Sequence, residues 1–265
     1  MTTTATTFPS HAQGRPAGVL RDTASVFVRE LRPMIRDPFS LVFSLMQPLM
    51  FLAFFGPLLG GMTGRPIGEA FQWFVPGVVV MIALFGTAMT GANLLFEIQS
   101  GAHERMLVTP VSRSSLMVGR ALKEMVPLVV QALVITAVGA AFGFRPSAGG
   151  MVLGLALLAL FGVGFGALSY ALAIASRERD WMFWGVQQGL LFPLLMLSGM
   201  LLPLENGPRW MQTMADFNPL THLVDAERAL FNGSFGTDVR QGALAVAVTV
   251  VVGLAVGIRA MRHSI

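Results

Sequence analysis

Few residues in this 265-residue chain could do chemistry. Cysteine is absent, which removes thiolate nucleophiles, disulfides and thiolate metal sites. The four histidines, His11, His103, His222 and His263, are scattered without metal-ligand spacing. A phosphate-cradling P-loop needs Gly-Lys-Ser/Thr, with the lysine reaching the phosphates. The lone lysine, Lys123, stands between Leu122 and Glu124, so this chain carries no such loop. Gly162, Gly164 and Gly166 imitate a dinucleotide fingerprint, but they lie inside an apolar run and read as packing. Gly162 with Gly166, and Gly253 with Gly257, form small-xxx-small faces where helices can approach closely. Neither a hydrolase triad nor a paired-carboxylate site is legible. The expectation is no catalytic, cofactor-binding or metal-ligating residue.

One segment has the chemistry of a docking surface. Residues 96–113 read Phe-Glu-Ile-Gln-Ser-Gly-Ala-His-Glu-Arg-Met-Leu-Val-Thr-Pro-Val-Ser-Arg. Glu97, Glu104, Arg105 and Arg113 give fixed charge, while Met106 and Leu107 with Val108 give an apolar face. The ordinary reading is a solvated loop, yet three consecutive exposed apolar residues call for a partner that covers them.

The elements that must position this segment follow from composition. The chain is 54% hydrophobic and 12% charged, against about 25% charged in a soluble domain. That leaves too little polar surface for a water-soluble globule, so the expected class is an all-α polytopic membrane protein. Six apolar runs, at about 39–60, 73–96, 116–142, 151–175, 181–202 and 242–258, are long enough for a hydrocarbon core of about 30 Å. The basic balance, with a pI of 10.9, reads as topology rather than as nucleic-acid binding. Thirteen Lys and Arg residues fall in the N-terminal tail, the second-to-third and fourth-to-fifth connections and the C-terminus, against five in the alternate loops. The positive-inside rule then places both termini in the cytoplasm. Residues 1–17 read as a disordered cytoplasmic tail without a signal peptide, and residues 18–265 as one transmembrane domain.

Two connections carry more than a turn. In residues 18–37, Val19, Val26, Phe27, Leu31 and Ile35 oppose Arg21, Arg29, Arg32 and Arg36. This pattern suggests an amphipathic interface helix, its alternative being a charge cluster that fixes topology. Residues 205–240 are too apolar for a solvated loop and too polar for a span. They suggest short outer helices carrying Trp210 and Phe217, broken at Asn218-Pro219. Within the runs, Gln47, Asn93, Gln131, Gln187 and Gln188 are the main polar groups, expected first as interhelical hydrogen-bonders. Embedded ionisable groups mark ion pathways, and none is expected deep in a span.

The run Glu104-Arg105 … Leu107-Val108-Thr109-Pro110-Val111-Ser112-Arg113 resembles the ABC-2 type permeases, particularly their daunorubicin-resistance branch. So does Asn218-Pro219-Leu220-Thr221-His222 … Asp225-Ala226 … Arg228. The chain departs from a Gly-Thr-Leu-Glu stretch common after Glu-Arg in that family, which leaves the register of the docking helix open by a few residues. The resemblance implies a cytoplasmic coupling helix around Glu97, Glu104, Arg105, Met106, Leu107 and Arg113, docking on separate ATP-binding-cassette ATPase subunits. It also implies ATP and Mg on that partner, a second permease chain, identical or related, and export of an amphiphilic drug, lipid or lipid-linked compound across a bacterial plasma membrane. Trp210, Phe217, Asn218 and Pro219 would cap the exit. An ion-coupled secondary carrier and a non-transporting scaffold are the rival readings.

Overall fold

The computed structural model describes Val28 and residues 38–64, 66–100 and 113–263. Among them the chain is helical, with no strand. The order is α1 (Pro38–Thr63), α2 (Ile67–Gln99), α3 (Arg113–Ala141), α4 (Ala148–Ala175), α5 (Asp180–Met196), α6 (Arg209–Asp216), α7 (Pro219–Phe231) and α8 (Thr237–His263), with a 3-10 turn at Leu204–Asn206. The N-terminal tail and the expected amphipathic helix at 18–37 lie outside the described residues, Val28 excepted.

Each apolar run falls on a helix. In an apolar medium a helix satisfies its backbone groups internally, so long apolar runs have little other choice. Among the described residues four helices are long and apolar enough to cross a membrane: Val42–Gly61 within α1, all of α2, all of α4, and Thr237–Met261 within α8. In α3 the apolar part is Met125–Ala141. The run expected at 181–202 is helical only to Met196. Ser198 turns its hydroxyl back to the Leu195 carbonyl (2.7 Å), and Gly199 takes φ +69°, a left-handed conformation that glycine alone adopts without strain. The chain therefore leaves the helix before the apolar run ends.

The core sits on α2. Phe74, Val75, Val78, Val79, Val80, Ala83 and Leu84 are fully buried, and α2 packs against α1, α3, α4 and α7. Ser169 of α4 donates to the Ala88 carbonyl (2.8 Å) and accepts from the Gly91 amide (3.1 Å), joining α4 to α2. Gln131 of α3 reaches Ser44 of α1 (2.8 Å). That amide is an interhelical hydrogen-bonder, as expected; Gln47, Asn93 and Gln188 are exposed instead.

Gly253 makes the close helix approach that the sequence pattern suggests, and on α4 the glycine it meets is Gly164 rather than Gly162 or Gly166. Gly162 and Gly166 face α2 and α3, meeting Leu128, Thr87 and Thr90 at ordinary or slightly tight range. The closest backbone approach to α8 is made by Gly164, between them, whose carbonyl stands where a Gly253 Cβ would be. A spacing of four names a face but not the neighbour it meets.

This crossing generates a paired test. Gly253→Ala should lower thermal stability in detergent by about 1–3 kcal/mol, the usual cost of overpacking. Gly86→Ala, which meets nothing within 4 Å, should leave it unchanged or slightly raised. Equal melting temperatures for the two variants would contradict the crossing.

Candidate functional site

Of the expected docking residues, Glu97 and Arg113 stand at the same end of the bundle. Glu97 is half-buried on the last turn of α2, whose Ser100 cap donates its hydroxyl to the Glu97 carbonyl (3.1 Å). Arg113 opens α3, which packs beside α2. Glu104, Arg105, Met106 and Leu107 lie outside the described residues. The α4–α5 turn with Arg177 and Arg179, and the end of α8 with Arg259, belong to this same end by the alternation of the helices.

The opposite end is a polar framework built on α7. Asn218 caps α7, its side-chain oxygen accepting from the Leu220 amide (3.0 Å), and Pro219 fills the first helical position, where a missing N–H costs nothing. The same Asn218 side chain donates to the Leu194 carbonyl (2.8 Å), and Thr221 donates to the Leu197 carbonyl (2.8 Å). The last carbonyls of α5, which no intrahelical donor reaches, are thus bonded by side chains of α7. Trp210 and Phe217, together with Met214, are exposed on one stripe of α6 and its C-cap. The expected exit residues therefore divide: Asn218 and Pro219 hold the structure, while Trp210 and Phe217 present an apolar surface.

Arg228 was legible only as part of a motif, not as an anchor. Its Nε donates to the Trp73 carbonyl (3.2 Å) and its Nη2 to the Gly199 carbonyl (2.7 Å), while Nη1 stands 3.5 Å from Asp225. The guanidinium lies 3.9 Å from the centre of the Trp73 ring, a cation–π geometry. One side chain thus ties α7 to α2 and to the loop after α5. Burial pulls it down to about 10, with Asp225 opposing, and it stays charged at neutral pH. Beside it, Gln72 accepts from the Arg145 amide (2.9 Å) and donates to Asn232 (2.9 Å), closing α2, the α3–α4 turn and the end of α7 together.

Glu227 is the residue that sequence reading missed. It is fully buried, both carboxylate oxygens lack a hydrogen-bond partner, and it seats in the notch left by Gly154 of α4. An i+4 partner on one helix can be read from spacing; a glycine notch on another helix cannot. Burial raises the carboxyl to about 8, so it is held neutral at pH 7. A carboxyl raised in the fold binds a proton that the unfolded chain releases. Stability is therefore greatest below the ordinary glutamate range and declines as pH rises toward about 8. Melting curves in detergent should fall between pH 5 and pH 8, and Glu227→Gln should remove a large part of that slope. An unaltered slope in the variant would contradict the assignment.

Among the described residues no group of three His, Cys, Asp or Glu could hold a metal ion.

Residues 21–232 match the model of a family described as ABC-2 type transporter. The chain is 30% identical over 201 residues to the daunorubicin resistance ABC transporter permease protein DrrB1 of Streptomyces coeruleorubidus, covering 75% of this chain and 71% of that one. It is 28% identical over 166 residues to the probable multidrug ABC transporter permease YbhR of Escherichia coli K12, covering 61% of this chain and 44% of that relative's length. It is 27% identical over 216 residues to nodulation protein J of Rhizobium leguminosarum bv. trifolii, covering 80% and 82%.

Proposed function

The chain belongs to the ABC-2 type transporter family, and from that premise we propose that it is the membrane permease of an ATP-driven exporter whose ATPase is a separate polypeptide. The observation that carries the reading is the family match across residues 21–232 in a sequence whose single lysine forms no P-loop. In this reading all six apolar helices span a bacterial plasma membrane. The arginine-rich end with Glu97 and Arg113 faces the cytoplasm, and the α6–α7 framework faces outward. The segment with Glu104, Arg105, Met106 and Leu107 docks on the ATPase, where ATP and Mg are held. Closure of two ATPases then pushes α2 and α3, which this segment joins, and α7 transmits the tilt to the exit through its bonds to α2 and α5.

A second permease chain is part of the proposal. Gln47, Asn93 and Gln188 lie exposed on the apolar helices α1, α2 and α5, where hydrocarbon would leave an amide unpaired. A neighbouring permease gives them partners. The cargo class, an amphiphilic drug, lipid or lipid-linked compound, rests on the drug-resistance and multidrug names of two relatives and on expected spans whose charges, Arg120, Lys123 and Glu124, stand near one end of the third. Glu227 is the group an ion-coupled carrier would need; such a carrier would move cargo on a proton gradient without ATP.

Purification of the tagged chain from its own host in mild detergent should bring down a soluble P-loop protein in stoichiometric amount. Glu104→Lys should abolish that association while the permease keeps its size-exclusion profile. Full association and unchanged export in Glu104→Lys would overturn the docking assignment.

A further inference from the structure

A cleft of about 1000 Å³ opens between α5 on one side and α4 and α8 on the other. Its α8 wall runs as a helical stripe from Gln241 through Leu244, Val248 and Val252 to Val256. Fifteen steps at 1.5 Å make that stripe about 22 Å long, most of the thickness of a hydrocarbon core. The cleft exists because α5 joins the core around α2, through Leu191 and Leu195, and is otherwise anchored near its ends. Phe183 is buried near one end among Leu94, Leu95, Tyr170 and Ile174, and Asn218 and Thr221 hold the carbonyls at the other. Between these anchors α5 stands off from α4 and α8.

The lining is apolar with a few polar interruptions, and no Asp, Glu, Lys or Arg is among it. Thr249 donates to the Ala245 carbonyl, and Ser169 is bonded to α2, so both are satisfied. His222 bonds the Asp216 carbonyl at the mouth beside α6. Gln187 is different. It borders the cleft at 5% exposure, two turns into α5, and its Oε1 has no hydrogen-bond partner. The last torsion of a glutamine is broad, so a small rotation turns that oxygen into the cleft. A buried amide oxygen left unbonded costs about 1–3 kcal/mol, which a donor in the cleft would recover.

We infer that this cleft binds a neutral amphiphile taken from the bilayer: one extended hydrocarbon chain carrying a hydroxyl group that donates to Gln187. The exposed faces of Val186, Leu190, Leu244 and Val248 leave the cleft open along its length, so a chain enters sideways from lipid. Length matches a single long chain, and the absence of charged lining excludes a fixed ionic group. A helix from a second copy is the competing occupant, told apart by the cross-linking below. The inference rests on the exporter reading only in that the chain spans a membrane.

The test uses the purified full chain in phosphatidylcholine vesicles and hexadecanol carrying a photoreactive diazirine within its chain. Irradiation should label α5 and α8 near Leu190 and Val248. Gln187→Leu should lower labelling roughly fivefold, the scale of one lost hydrogen bond, and Val248→Trp should abolish it by filling the slot. The same chain ending in trimethylammonium should label weakly. Size exclusion of each variant confirms that it is folded. Labelling unchanged in folded Val248→Trp, or equal labelling by the cationic probe, would overturn the proposal. So would efficient cross-linking of introduced cysteines at 190 and 248 to a second copy. No ATPase is present, so failure of binding leaves the exporter reading standing, and failure of ATPase association leaves this site standing.

Discussion

In an apolar medium every backbone N–H and C=O must find a partner within the protein, and the whole arrangement follows from how this chain meets that demand where its helices stop. Long apolar runs meet it by being helical. The difficulty lies where α5 ends at Met196, several residues before its apolar run does, and where α7 begins beside it. Asn218 and Thr221 take the carbonyls of Leu194 and Leu197, and Arg228 takes those of Gly199 and Trp73. The short helix α7 is the hydrogen-bonding hub that lets a spanning helix end early without leaving orphaned groups. Removing any one of these donors would expose a carbonyl to a setting that cannot hydrate it.

That hub also sets what can move. α2 is buried along most of its length and forms the body against which α1, α3, α4 and α7 pack. α4 and α8 approach closely enough, at Gly164 and Gly253, that even a methyl group would collide. Such interfaces tilt as rigid pieces rather than deform, because packed interiors resist compression. By contrast, α5 joins the core around α2 through Leu191 and Leu195 and stands clear of α4 and α8. In the proposed exporter, a push delivered at the α2–α3 connection travels along α2 and emerges at α7 through Arg228 and Gln72. α5, clear of α4 and α8, is the element free to respond.

Composition alone made the helical, membrane-embedded class legible, because a chain with 12% charged residues cannot clothe a soluble globule. The break at Asn218-Pro219 was legible too, since a capping side chain followed by proline is a local signal, and the structure starts α7 there. The family was legible in the Thr-Pro-Val-Ser-Arg run and the Asn-Pro-Leu-Thr-His segment. What escaped is long-range. The burial of Glu227 depends on Gly154, more than seventy residues away, and the clamp of Arg228 depends on Trp73 and Gly199. The glycine pattern pointed to Gly162 and Gly166, but the crossing with α8 uses Gly164, because sequence spacing does not say which helix lies opposite. The end of α5 escaped for a related reason: hydropathy continues to Leu202, while a left-handed glycine ends the helix sooner.

The measurement that bears most directly on the account is ATP-dependent transport by the chain reconstituted with its soluble ATPase in sealed vesicles, with the proton gradient collapsed. An ATP-driven permease moves an amphiphilic cargo only when ATP and Mg are supplied, and cargo raises the rate of ATP hydrolysis. Transport without ATP once a proton gradient is imposed instead, or ATP hydrolysis indifferent to the permease and to cargo, would contradict it.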